Sequence, residues 1–138
     1  MAVTGIEGIA LLAARVLFGG VLAFMGLNHF MNVDEMSGYA EHKGLPAPRL
    51  SVLASGAVLV LAGLSILAGV VPLFGALVLA GFLLVSALLM HDFWAVPADQ
   101  QQEEMTHFLK NVVMAGGALA LAAIANQSWA FSPELGLF

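Results

Sequence analysis

Cysteine is absent from the 138-residue chain, which excludes disulfides, thiolate-ligated iron–sulfur clusters, thiolate zinc sites and cysteine catalysis. Any redox chemistry would therefore use a borrowed cofactor or a partner. Charge is also scarce: 9% of the residues are charged, nine acids against four bases. With no basic patch, nucleic acid is not an expected partner. The opening residues lack the positive start of a signal peptide and carry Glu7, so they read as a retained first span. No glycine loop follows a strand, no Ser-His-Asp arrangement can be placed, and no HExxH occurs. Stand-alone catalysis is therefore not expected.

What the chain has in abundance is apolar surface. It is 61% hydrophobic with a mean hydropathy of +0.98, more than a water-soluble domain of this size tolerates on its exterior. An integral, multi-pass membrane protein follows, with the cell membrane as its expected location and the lipid bilayer as its first partner. Four runs approach the roughly 17 to 25 residues that cross a bilayer as a helix: about 9–31, 50–71, 73–90 and 108–125. In lipid only a helix or a closed barrel satisfies its own backbone, and strand alternation is missing. The expected fold is all-α, a four-helix transmembrane bundle in one domain.

Pro72 falls between the second and third runs, where the missing amide hydrogen prevents a helix from continuing. That connection is a tight hairpin, whereas 32–49 and 91–107 are long and polar. Four spans place both long connections on one membrane face, and the termini and the Pro72 turn on the other. Lys43, Arg49 and Lys110 against Arg15 would put the elaborated face in the cytoplasm. "GLNHFMN" closing the first run and "LMHDFWA" closing the third hint at two halves of two spans. Trp94 and Trp129 fit interfacial anchors, and Gly19, Gly26, Gly116 and Gly117 fit close helix packing.

This topology brings His29, His91, Asp92, His107, Lys110 and Asn111 to one face, from the ends of three helices. On the last helix Glu103, His107, Lys110 or Asn111, and Met114 recur at three- and four-residue spacing. Arg15 lies on the first helix about 21 Å from His29 along the axis. It is costly in hydrocarbon, so it either packs or snorkels at the plain face or serves a deeper anion or carbonyl site, with Glu7 and Glu134 nearest by side. Lys110 suits an interfacial anchor, or a small polar pocket in which it pairs with Asp92 or Glu103.

The histidines narrow the chemistry. Imidazole hydrogen-bonds a quinone carbonyl and exchanges protons near neutrality. Haem between His29 and His91 is disfavoured because bis-His haem usually sits deeper than a last turn. Copper held by His with Met25, Met31, Met90 or Met105 is weaker still, since methionine in apolar helices is mostly packing. The plain alternative is that the histidines organise loop backbone. A quinone-type or lipid head therefore leads as ligand, with no metal, with His29, His91 and Lys110 on its oxygens, Asn111 and Asp92 orienting them, and Trp94 packed on the ring.

"ARVLFGGVLAFMGLNHF", "HKGLPAP", "MHDFW" and "HFLKNVVMAGGAL", in this order and spacing, resemble the DoxX family of small four-span membrane proteins. The resemblance implies a single four-helix membrane domain over 1–138 and carries onto Arg15, Gly19, Gly26, His29, Gly44, Pro46, His91, Phe93, Trp94, Phe108, Lys110, Asn111, Gly116 and Gly117. It also implies an accessory place beside a membrane redox partner, because the family takes its name from a terminal-oxidase and thiosulfate:quinone oxidoreductase setting. The chain departs from the family where many members have lysine at the position of His29, and a glutamate near Val58 and Leu59. The competing reading is a non-enzymatic structural, scaffold or transport protein that builds a homo-oligomer through its glycine faces.

Overall fold

The structure, a computed structural model, describes residues 2–133. Five helices carry the fold: α1 (Gly5–Met31), α2 (Val33–His42), α3 (Pro48–Ala68), α4 (Pro72–Met90) and α5 (Ala98–Ala123). Three of them, α1, α3 and α4, are long and apolar enough to cross a membrane. The fourth expected span, 108–125, lies within α5, which begins ten residues earlier and carries its polar start as helix rather than loop. Lys110 and Asn111 within its apolar half hold α5 below the hydropathy of the other three. The second long connection consequently shrinks to 91–97, and the first is largely helix α2.

The helix ends follow the backbone chemistry. Gly69 closes α3 in the left-handed region at φ 71°, Val71 stands at φ 43°, and Pro72 occupies the first turn of α4, where its missing N–H is harmless. A left-handed valine costs on the order of 1–2 kcal/mol. Ser65, which donates to the carbonyls of Val70 and Val71, helps to hold the turn in that conformation.

Helices α1 and α3 form one tightly packed pair and α4 and α5 another, with α3 against α4 between them. These are the two halves that the repeated run ends hint at. The α1–α3 contact is glycine on glycine: a Cβ on Gly19 would lie 2.6 Å from the Gly63 carbonyl oxygen, and one on Gly26 would lie 2.7 Å from that of Gly56. Glycines seven residues apart on both helices keep one seam in register along nearly parallel or antiparallel axes. The core runs through Leu22, Leu59, Ile66, Leu79, Leu83 and Ala118. Outside, Leu17, Leu61, Phe74 and Val113 are 70–74% exposed, as a lipid-facing surface requires.

The plain face is closed by an element the sequence reading does not contain. Strands β1 (Ala2–Val3) and β2 (Ser128–Trp129) pair in parallel, and the Ala130 amide donates to the Val3 carbonyl at 3.1 Å. Trp129, expected at the membrane boundary, is buried and donates through Nε1 to the Ile124 carbonyl at 2.9 Å.

Arg15 is 1% exposed and sits in a π-helical turn of α1, Arg15–Gly20, that aims both Arg15 and Gly19 inward. Its Nε donates to the carbonyls of Ile66 and Leu67 at 3.2 and 3.1 Å, Nη2 to Leu67 at 2.7 Å, and Nη1 to Ala130 at 2.8 Å. The first two carbonyls belong to the last turn of α3, which lacks intrahelical partners and bears the negative end of the helix dipole. The Trp129 ring lies 5.7 Å from the guanidinium carbon, within cation–π range.

Candidate functional site

The site lies at the opposite, elaborated face and is built from both polar connections. Helix α2 lies over the bundle with Ala40 fully buried beneath it. Lys43 and Tyr39 fasten its C-terminal end to the segment after α4 and to α5. Lys43 Nζ donates to Asp92 Oδ1 at 2.6 Å and lies 3.9 Å from Glu104 Oε1. The Tyr39 hydroxyl faces Glu104 Oε1 at 2.9 Å and the Met90 carbonyl at 3.2 Å. His91 Nδ1 lies 3.0 Å from Glu104 Oε2, and its ring stacks on His107 at 5.2 Å.

The electrostatics follow from these contacts. The hydrogen bond from Lys43 holds the Asp92 carboxyl below its ordinary range. Burial alone would raise Glu104, but hydrogen bonds from His91 and Tyr39, with Lys43 nearby, together outweigh it and lower the carboxyl. Burial, followed by the Glu104 bond, pushes the Tyr39 hydroxyl up, so it stays protonated and donating. For the two carboxylates the sign is that of depressed acids: their stabilisation is complete above about pH 4, the ordinary carboxylate value, and is lost as pH falls through the lowered values. Lys43→Met is therefore expected to speed hydrogen exchange of the α2 amides by roughly fivefold at neutral pH, equivalent to about 1 kcal/mol for a charge-assisted bond. In the unaltered chain the same loosening, after correction for intrinsic exchange, is expected only below about pH 4. Exchange in α2 that Lys43→Met leaves unchanged would show that the latch contributes nothing.

Beneath α2 lies a cavity of ≈330 Å³ with walls from all five helices, in the size range of small-molecule sites. Its walls are mainly apolar, including Leu22, Leu59, Phe82 and Leu83. Polar groups enter from His29 on α1, Tyr39 on α2, Ser51 and Ser55 on α3, Ser86 and His91 at the end of α4, and Asn111 on α5. Asn111 Nδ2 donates to the Leu83 carbonyl at 3.3 Å, and His29 Nδ1 lies 2.7 Å from the Met25 carbonyl. A more open groove of ≈700 Å³ adjoins the cavity, sharing Met25, His91, Asn111 and Met114, and runs past His107, Lys110 and Val113. The groove runs along α5, with Met25 of α1 on its other side.

Among the residues singled out from the sequence, His29, His91 and Asn111 share the cavity, and His107 and Lys110 line the groove beside it. Asp92 is held by Lys43, so the pairings of Lys110 with Asp92 or Glu103 give way to Lys43 with Asp92 and Glu104. Glu103 instead lies 4.0 Å from His107 on the exposed side of α5. Trp94 is half exposed and packs edge-on with Phe93 and Phe108, outside the cavity lining. Arg15 lies at the other end of the bundle, its donors engaged by backbone carbonyls. Glu134 lies outside the described residues. Gly19 and Gly26 pack within the chain; Gly117 meets only Phe18, and nothing lies within 4 Å of a Cβ on Gly116.

Tyr39, Lys43 and Glu104 are the residues that sequence reasoning missed. The signal for Glu104 was present: the inward face of α5 reads Ala118, Ala115, Asn111, Phe108 at steps of three and four, and one further step back reaches Glu104 rather than Glu103.

Among the described residues no group of three or more His, Asp or Glu side chains is placed to hold a metal ion. The DoxX family model matches residues 10–92, which takes in α1 to α4 and ends at Asp92, leaving α5 with His107, Lys110 and Asn111 outside the match. No curated protein and no solved structure matches the chain.

Proposed function

The chain belongs to the DoxX family, and from that premise we propose that it is a four-span cell-membrane subunit that receives the head of a quinone-type lipid and serves a membrane redox partner. The apolar half of α5, packed along α4, completes the four spans. The observation that carries this reading is the cavity itself: apolar walls within the bundle, polar groups from His29, His91 and Asn111, and a groove along the α1–α5 cleft. An isoprenoid tail left in the bilayer and a polar ring in the cavity match that division. Such a ligand enters from lipid rather than from water, which accounts for a latched roof and a side groove.

Protein extracted in mild detergent is expected to retain isoprenoid quinone, detected by chromatography of an organic extract. His91→Ala is expected to lower the retained amount at least about fivefold, the loss of roughly one hydrogen bond's net energy. Quinone-free unaltered protein, or equal retention by the variant, would overturn the reading.

The scaffold reading also has support. Gly81 and Gly116 leave open space where a Cβ would stand, and small outward residues admit the close approach of a neighbouring helix in lipid. A homo-oligomer assembled through this surface is compatible with an occupied cavity.

A further inference from the structure

The polar groups of the cavity have mostly given their protons away. His29 Nδ1 faces the Met25 carbonyl, which can only accept, so Nδ1 carries the hydrogen and the neutral ring leaves Nε2 as a lone pair. His91 Nδ1 likewise donates to the Glu104 carboxylate, so in the neutral imidazole its Nε2 is the acceptor. The Ser51 hydroxyl donates to the Pro46 carbonyl at 2.8 Å. The single Tyr39 proton is shared between the Glu104 carboxylate and the Met90 carbonyl, both acceptors. Four polar groups of the lining are therefore set to accept hydrogen bonds rather than to donate them.

The remaining donors are few. Asn111 spends one N–H on the Leu83 carbonyl and keeps one N–H and its amide oxygen. Ser55 and Ser86 line the cavity as rotating hydroxyls that donate or accept as the ligand requires. At His29, His91, Ser51 and Tyr39, whose hydrogens are already committed, a ligand carbonyl would set acceptor against acceptor, and buried polar groups left without partners are costly.

We propose that the cavity selects the hydroxylated, reduced form of a quinone-type head over its dicarbonyl, oxidised form. This rests on the ligand reading above and adds the redox state that the site recognises. A quinol brings two O–H donors and meets a lone pair with each. His29 and His91, which line the cavity from opposite halves of the bundle, are the residues to receive them. The two hydroxyls need not be ionised, because neutral imidazoles accept as they stand.

The test is direct binding of a decyl-tailed benzoquinol and the matching benzoquinone to purified protein, without oxygen and at mildly alkaline pH, by calorimetry. The quinol is expected to bind at least about tenfold more tightly, as one or two hydrogen bonds are gained by one form alone. His29→Gln, whose amide offers a donor where the ring offers a lone pair, is expected to narrow that ratio by strengthening quinone binding. Equal or tighter binding of the quinone to the unaltered protein overturns this inference while leaving the ligand site standing. Binding of neither form overturns both.

Discussion

Gly63→Leu is expected to abolish accumulation of folded protein, while Gly116→Leu leaves the fold and its thermal stability unchanged. A Cβ on Gly63 would lie 2.6 Å from the Gly19 carbonyl oxygen and 2.8 Å from the Ala23 amide nitrogen. Both are backbone atoms of a packed helix and cannot turn aside as a side-chain tip can. Accommodation therefore requires separating α1 from α3 along the whole seam, because Gly26 and Gly56 make a similarly close contact seven residues away. In lipid the loss falls on packing, since the hydrophobic effect does not hold two helices together there. At Gly116 nothing lies within 4 Å of the added carbon, so the change is met by lipid or by a second copy. Size-exclusion profiles and melting curves in detergent separate the outcomes. A monodisperse Gly63→Leu protein with unaltered melting would refute the glycine seam, and a smaller particle for Gly116→Leu would support the oligomer reading.

Arg15→Met is expected to destabilise the folded protein by about 3 kcal/mol or more, the consequence of removing several charge-assisted bonds from a buried site. The methionine fills much of the volume but leaves the Ile66, Leu67 and Ala130 carbonyls without the donors they now have. Arg15→Lys is expected to recover only part of the loss. One ammonium cannot reproduce the planar fork that reaches the last turn of α3 and the segment after β2 together. Denaturant unfolding in mixed micelles measures both, and ligand retention supplies the control. Because Arg15 is far from the cavity, surviving Arg15→Lys protein is expected to bind ligand as the unaltered chain does. Unfolding curves that coincide for Arg15→Met and the unaltered chain would show the guanidinium to be dispensable.

Apolar runs announce helices because a bilayer leaves the backbone no other way to satisfy itself, and three of the expected spans coincide with α1, α3 and α4 to within a few residues. The sharing of a face by His29, His91 and Asn111 was readable from the parity of the crossings alone. Less accessible was which charged residue turns inward: Glu104 rather than its neighbour Glu103, and Lys43 from the other connection rather than Lys110. One position along a helix rotates a side chain by about 100°, and only the packed face of α5 decides which glutamate turns inward. Arg15 was ambiguous for a different reason. Its partners are backbone carbonyls of Ile66, Leu67 and Ala130, and main-chain acceptors carry no signature in residue type. The β1–β2 pair escaped for the same cause, since two residues on each side are too few to show alternation.

That short pair acts as a clasp. It joins the start of α1 to the segment after α5, and Phe18 resting beside Gly117 extends the grip partway up the two helices. Farther along, the groove with Met25 and Met114 on its walls begins. Between the two ends α1 is held by α3, α5 by α4, and α3 by α4, while α2 closes the opposite face. The clasp therefore brings the beginning and the end of the described chain together at the far end of the bundle from the cavity.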